Sequence, residues 1–213
     1  MAKKTNNTKS GVNKITQKTN YAKYIAVVGI MGALGFVLML LEFPLPFIIP
    51  SFIKFDFSEL PALITAFAYG PVSGIAVCLI KNLLHLPLSS SAAVGEISNF
   101  LLGAVFVSIA GIIYRRNKSR KSALIGTLAG AGAMAAISVA TNYFIVYPCY
   151  EVIYGMPMEA IVGAYKALLP FSDTLLKSLI IFNLPFNLVK GLIDALICFG
   201  VYKKISSLIK IKN

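Results

Sequence analysis

Acidic residues are scarce in this chain: 8 Asp and Glu stand against 20 Lys and Arg in 213 residues. Charge of either sign is thin as well, at 13%, where soluble domains carry about 25%. Cysteine is limited to Cys78, Cys149 and Cys198, three widely separated thiols in apolar surroundings, which gives neither a disulfide framework nor a zinc-ligand spacing. A single histidine, His85, has no H-E-x-x-H helix around it. The chain also lacks a G-x-x-x-x-G-K-[ST] phosphate loop and a G-x-S-x-G nucleophile turn. It is therefore expected to be no enzyme, to hold no metal or cofactor, and to need an ion gradient or a separate motor if it moves a solute uphill.

What is abundant is apolar surface, at 57% of residues with a mean hydropathy of +0.78. The solvent for most of such a chain is lipid. Fifteen of the basic residues fall in three segments without an acid: 1–23 (Lys3, Lys4, Lys9, Lys14, Lys18, Lys23), 115–121 (Arg115, Arg116, Lys118, Arg120, Lys121) and 203–213 (Lys203, Lys204, Lys210, Lys212). Basic residues flanking membrane spans mark the cytoplasmic side. The net charge of +12 is thereby explained by attraction to anionic lipid headgroups, with no nucleic-acid motif to support the other reading of a basic chain.

An all-α membrane protein follows. Residues 1–23 read as a disordered, polar, basic cytoplasmic leader, and 24–213 as a six-helix membrane substrate-binding domain. The run from Tyr24 to Leu41 is longer than a signal-peptide core and has no small-residue cleavage pattern after it, so it stays as the first span. The expected spans are about 24–43, 57–69, 71–88, 95–114, 122–147 and 172–202, the second short and the last interrupted by Pro185. Four crossings before the 115–121 loop and two after it put both termini in the cytoplasm of a multi-pass cell-membrane protein. The loops 44–56, 88–95 and 148–171 then lie outside.

The first of these loops carries three prolines and several aromatic residues. Too apolar for a free linker and too proline-rich for a helix, it reads either as a cap over the outer mouth or as an aromatic interface belt. The 148–171 loop is long enough for a second cover. In the last span Asn183, Asn187, Lys190 and Asp194 recur at helical spacing and share a face. Such a stripe inside a membrane either lines a cavity or is neutralised internally, Lys190 against Asp194. Asn142 in Thr141-Asn142-Tyr143 could join Asn187 in matching an imide-like edge of alternating acceptors and a donor. Lys81, Asn82 and His85, with Glu96 and Asn99, form another polar group near the outer surface. Small residues at Gly29 and Ala33, and at Gly126, Gly130 and Gly132, let helices approach closely, inside the bundle or against a partner.

The ordered set Phe36-Val-Leu-Met-Leu-Leu-Glu-Phe-Pro-Leu-Pro46, Lys54-Phe-Asp-Phe-Ser-Glu-Leu-Pro61, Gly70-Pro71, Lys81-Asn-Leu-Leu84, Gly95-Glu-Ile-Ser-Asn-Phe100, Asn142-Tyr-Phe144 and Pro185-Phe-Asn-Leu-Val-Lys-Gly191 resembles the riboflavin-specific S component of energy-coupling factor (ECF) transporters. The resemblance covers nearly everything after residue 23. It implies a six-helix vitamin-capture subunit with an external capping loop, docked on a shared transmembrane T component that two cytoplasmic ATPase subunits drive. It further implies that Asn142, Asn187 and Lys190 contact riboflavin, that Phe52, Ile53, Lys54 and Phe55 form the cap segment, with Tyr143 among the aromatic residues beside the ligand, and that Gly29 and Ala33 meet the T component. Lys54 stands where a small polar residue is expected. The residues alone leave two other readings open, an ion-coupled carrier of a planar solute and a membrane-embedded lipid enzyme using Lys190 and Asp194.

Overall fold

The computed structural model describes residues 3–209, with side chains described over 20–201. Nine α-helices, two π turns, a short 3-10 turn at Leu86–Leu88 and one short strand pair make up the described chain. Helix α1 spans Lys3–Leu40. Its membrane-length apolar part is Asn20–Leu40. The expected leader lies largely outside the described side chains, but its backbone is helical from Lys3. No proline occurs before Pro44 to break the helix, and each further turn costs little once the apolar part has nucleated.

The strands β1 (Phe43–Pro44) and β2 (Lys54–Phe55) pair antiparallel, Phe43 facing Phe55 and Pro44 facing Lys54. Next come α2 (Glu59–Tyr69), α3 (Pro71–His85), α4 (Val94–Arg116) and α5 (Arg120–Thr141). A wide π turn over Asn142–Val146 carries α5 into α6 (Tyr147–Tyr154), and α7 (Met158–Leu168) follows. The chain ends with α8 (Leu175–Ser178), a second π turn over Leu179–Asn183, and α9 (Leu184–Ile209).

Among the described residues five segments are long and apolar enough to cross a membrane: Asn20–Leu40, Pro71–Leu88, Val94–Arg116, Arg120–Tyr154 and Leu175–Val201. The sixth expected span is α2, whose 11 residues reach only about 16 Å at 1.5 Å per residue. It is the most enclosed helix, with Ala62, Leu63, Ile64, Thr65 and Ala66 all buried among its neighbours. The irregular chain before it sinks with it: Ile49, Phe55, Asp56 and Ser58 are buried. Non-helical backbone at this depth is tolerated because protein surrounds it.

Close helix contacts come from glycine. A Cβ on Gly130 would lie 2.6 Å from the Phe106 carbonyl oxygen, and one on Gly126 2.8 Å from that of Ala110, so α5 lies almost backbone to backbone on α4. The internal alternative therefore holds for these two glycines. Gly70, at φ 105°, makes the turn between α2 and α3 in a conformation that side chains disfavour. Gly29 and Ala33 instead lie on the exposed face of α1, and a Cβ at Gly29 meets nothing within 4 Å.

The two π turns share one construction. Each is followed by a helix with proline in its first turn, Pro148 in α6 and Pro185 in α9. Proline has no N–H to donate and crowds the carbonyl four residues back, so a widened turn absorbs both defects.

Candidate functional site

A cavity opens where α2 and α4 begin, α5 ends and α9 begins, beneath the 41–58 loop. Phe52, Ile53 and Lys54 line it from the loop, Asn142, Val146 and Tyr147 from the first π turn and the start of α6, and Asn183, Phe186, Asn187 and Lys190 from the second π turn and the start of α9. His85, Ser91, Glu96 and Asn99 also line its wall. The loop is thus a cap, held at its base by the strand pair and by an ion pair between Lys54 and Glu42. The Phe52 ring sits edge-on to Tyr147, Tyr150 and Tyr165 at centroid distances of 6.0, 6.4 and 6.2 Å, an orientation aromatic pairs favour. Helices α6 and α7 supply this tyrosine wall, so the 148–171 segment is a second, helical cover.

Of the expected site residues, Asn142, Asn187, Lys190, Phe52, Ile53 and Lys54 come together around the cavity. Phe55 and Tyr143 do not line it. Successive strand residues point to opposite sides, so where Lys54 faces the cavity Phe55 is buried against Phe43, Phe57 and Phe186. Tyr143, one position past Asn142, is turned outward, 39% exposed and packed on Phe144.

The hydrogen-bonding state of the amides defines what the cavity can recognise. Tyr147 and Tyr165 share a hydrogen bond through their hydroxyls. The Tyr165 hydroxyl donates to Asn183 Oδ1 at 2.6 Å, and Asn187 Nδ2 donates to the Asn183 carbonyl at 2.9 Å. Burial, with Tyr147 beside it, pushes the Tyr165 phenol above its ordinary pKa, so it remains a neutral donor. Among the described residues the Asn187 side-chain carbonyl oxygen has no hydrogen-bond partner. Asn142, 8% exposed, is held by no other described side chain and offers both a donor and an acceptor.

Under the amides lies a buried ionic cluster. Lys190 Nζ reaches Asp56 Oδ2 at 2.9 Å and Glu59 Oε2 at 3.0 Å. Lys81 Nζ reaches Glu59 Oε1 at 2.7 Å and Asn99 Oδ1 at 2.8 Å, and also hydrogen-bonds Ser58. The Ser58 amide donates to Asp56 Oδ1 at 2.7 Å. Burial alone raises a carboxyl's pKa, but the Lys190 and Lys81 ammonium groups win and hold Asp56 below the usual carboxylate range. One cation therefore ties the base of the cap to α9, and the other ties α2 to α3 and α4.

Two readings of the sequence are corrected here. Lys190 is not neutralised by Asp194; Asp56, distant in sequence, and Glu59 do so, while both Asp194 carboxylate oxygens are buried without a hydrogen-bond partner among the described residues. Asp194 also drops out of the cavity-lining stripe, one turn too deep to reach it. The polar group expected from span three and span four does assemble: Lys81, fully buried, reaches Asn99 at 2.8 Å, and His85 is hydrogen-bonded to Glu96 at 2.8 Å at the cavity wall, while Asn82 donates instead to the Cys78 carbonyl. Asp56 and Glu59 were overlooked as partners. Their signal was Lys81, a cation inside an apolar span whose own helix carries no carboxylate, so that one has to come from elsewhere in the chain.

The family described as ECF transporter, substrate-specific component matches residues 23–202. Over 202 residues the chain is 31% identical to "Riboflavin transporter RibU" of Staphylococcus aureus (strain TCH60), covering 94% of this chain and 98% of that one. It is 33% identical over 187 residues to "Riboflavin transporter FmnP" of Bacillus subtilis (strain 168), covering 86% and 92%. A solved structure described as "Structure and mechanism of the S component of a bacterial ECF transporter" superposes with a TM-score of 0.70 at 31% identity, covering 90% of this chain and 99% of that one. A match running through every described span, together with a shared three-dimensional fold, leaves one assignment: the chain belongs to the substrate-specific component family of ECF transporters.

Proposed function

We propose that this chain is the riboflavin-capturing S component of an ATP-driven vitamin uptake transporter, binding its ligand from outside the cell. The observation that carries the reading is the pair of uncommitted amides, Asn142 and the Asn187 carbonyl, gathered beneath an aromatic cap. An isoalloxazine ring offers a pyrimidinedione edge of acceptor, donor and acceptor, and a ribityl chain whose hydroxyls suit the Glu96, Ser91 and Asn99 side of the cavity. Relatives named riboflavin transporters support the same ligand.

In this reading α2 is the sixth, short crossing, both termini are cytoplasmic, and the 115–121 segment lies on the inner side. The exposed small residues Gly29 and Ala33 form the face of α1 that meets the T component, with two ATPase subunits below it.

The cavity measures about 160 Å³, below the roughly 300–1,000 Å³ of ligand sites in general. Binding therefore moves Phe52 and the cap outward before closing over the ring. Titration of the purified chain should quench flavin fluorescence at one riboflavin per chain. In proteoliposomes the chain alone should bind riboflavin from outside without concentrating it. Uphill accumulation driven by a sodium or proton gradient without an ATPase partner would overturn this in favour of a secondary carrier.

A further inference from the structure

A second groove, of about 610 Å³, lies at the end of the bundle opposite the cap, where α2 and α4 end, α5 begins and α9 passes. Its body is apolar and aromatic, with Phe67, Tyr114, Leu124 and Phe199 as lining residues, and its rim carries Lys118 and Arg120. The Phe67 and Tyr114 rings pack at 4.8 Å. None of the five basic residues of the 115–121 segment forms an ion pair with a carboxylate among the described residues. Among the described residues no acidic side chain lines the groove. Ser119 accepts a hydrogen bond from the Ser122 amide, and the first turn of a 22-residue helix, α5, adds further amides that seek an acceptor.

We propose that this groove is a binding site for an anionic phospholipid, with the headgroup phosphate held by Lys118, Arg120 and the start of α5, and an acyl chain lying on Phe67, Leu124 and Phe199. The mixed lining selects an amphiphile: a soluble anion has no use for the aromatic floor, and a zwitterionic lipid gains less from cations that have no carboxylate of their own. The location fits, because α4 and α5 are membrane-length helices joined at this edge by three residues, 117–119. Basic pockets between transmembrane helices commonly take lipid headgroups.

The test uses the full chain in detergent, incubated with equal amounts of phosphatidylglycerol and phosphatidylcholine of identical acyl chains and observed by native mass spectrometry. The wild type is expected to retain phosphatidylglycerol at least tenfold over phosphatidylcholine. Lys118→Gln with Arg120→Gln should lose that preference, whereas Arg115→Gln with Arg116→Gln, which removes the same charge outside the groove, should keep most of it. Gly200→Leu fills the groove without touching charge, since a Cβ there meets nothing within 4 Å, and it should lower lipid retention several-fold. Riboflavin quenching, unchanged in all three variants, reports that each is folded. Equal loss in both double variants means diffuse surface attraction and overturns the site. So does displacement of the lipid by inorganic phosphate, full retention by Gly200→Leu, or a wild type without lipid preference whose Lys118→Gln/Arg120→Gln variant instead fails to assemble with its transporter partners.

Discussion

Lys190 has two tasks that a double substitution can separate. It lines the cavity, and it is the cation between Asp56 at 2.9 Å and Glu59 at 3.0 Å. Replacing it with methionine keeps most of the length of the side chain but strands Asp56, which among the described residues retains only the Ser58 amide at 2.7 Å, while Glu59 still holds Lys81 at 2.7 Å. Breaking a buried pair by removing one partner costs about 3–5 kcal/mol. Losing one hydrogen bond to ligand costs about 1–3 kcal/mol, or about 5- to 150-fold in Kd. Lys190→Met is therefore expected to lower the melting temperature markedly and to weaken riboflavin binding as well. Adding Asp56→Asn removes the stranded charge, so Lys190→Met/Asp56→Asn should regain most of the lost stability while its affinity remains low. Thermal unfolding in detergent and fluorescence titration read the two quantities independently. A double variant no more stable than Lys190→Met, or one that recovers full affinity, would refute the division of labour.

Asn142→Ala and Asn187→Ala should each weaken riboflavin binding by about 5- to 150-fold through an unsatisfied ligand group, with melting temperatures near wild type; titration of the purified variants checks both. Gly29→Leu and Ala33→Leu add bulk to an exposed face of α1, so affinity for riboflavin should persist while copurification with the transmembrane partner and ATP-driven uptake fall. Retained assembly would remove α1 from the docking face. Phe52→Ala deletes the ring facing three tyrosines and should speed flavin release by at least tenfold in stopped-flow fluorescence; Phe47→Ser, at the exposed tip of the cap, should leave it unchanged. A Gly/Ser linker in place of 44–50 should likewise accelerate release, because it lacks both the restricted backbone and the apolar contacts of the cap.

Composition and pattern decided the class of this molecule. Apolar runs of membrane length, separated by basic segments without acids, admit little besides a helical bundle in lipid, because each backbone group must find its partner within its own helix. The proline-rich aromatic loop read as a cap or an interface belt, and Asn142, Asn187 and Lys190 stood out because polar groups are costly in apolar spans. All of these are local statements, legible from spacing along one element. Which face each loop residue presents was not. Phe55 and Tyr143 left the cavity wall because a two-residue strand pair and a π turn fixed their directions, and neither has a strong sequence signature. Which carboxylates pair with the buried lysines was equally invisible. Helical spacing offered Lys190 a neighbour at Asp194, yet the bundle brought in Asp56 and Glu59 from a buried loop and a short helix. A carboxylate four residues away competes with any carboxylate the fold carries to within 3 Å, and only the tertiary arrangement sets that distance.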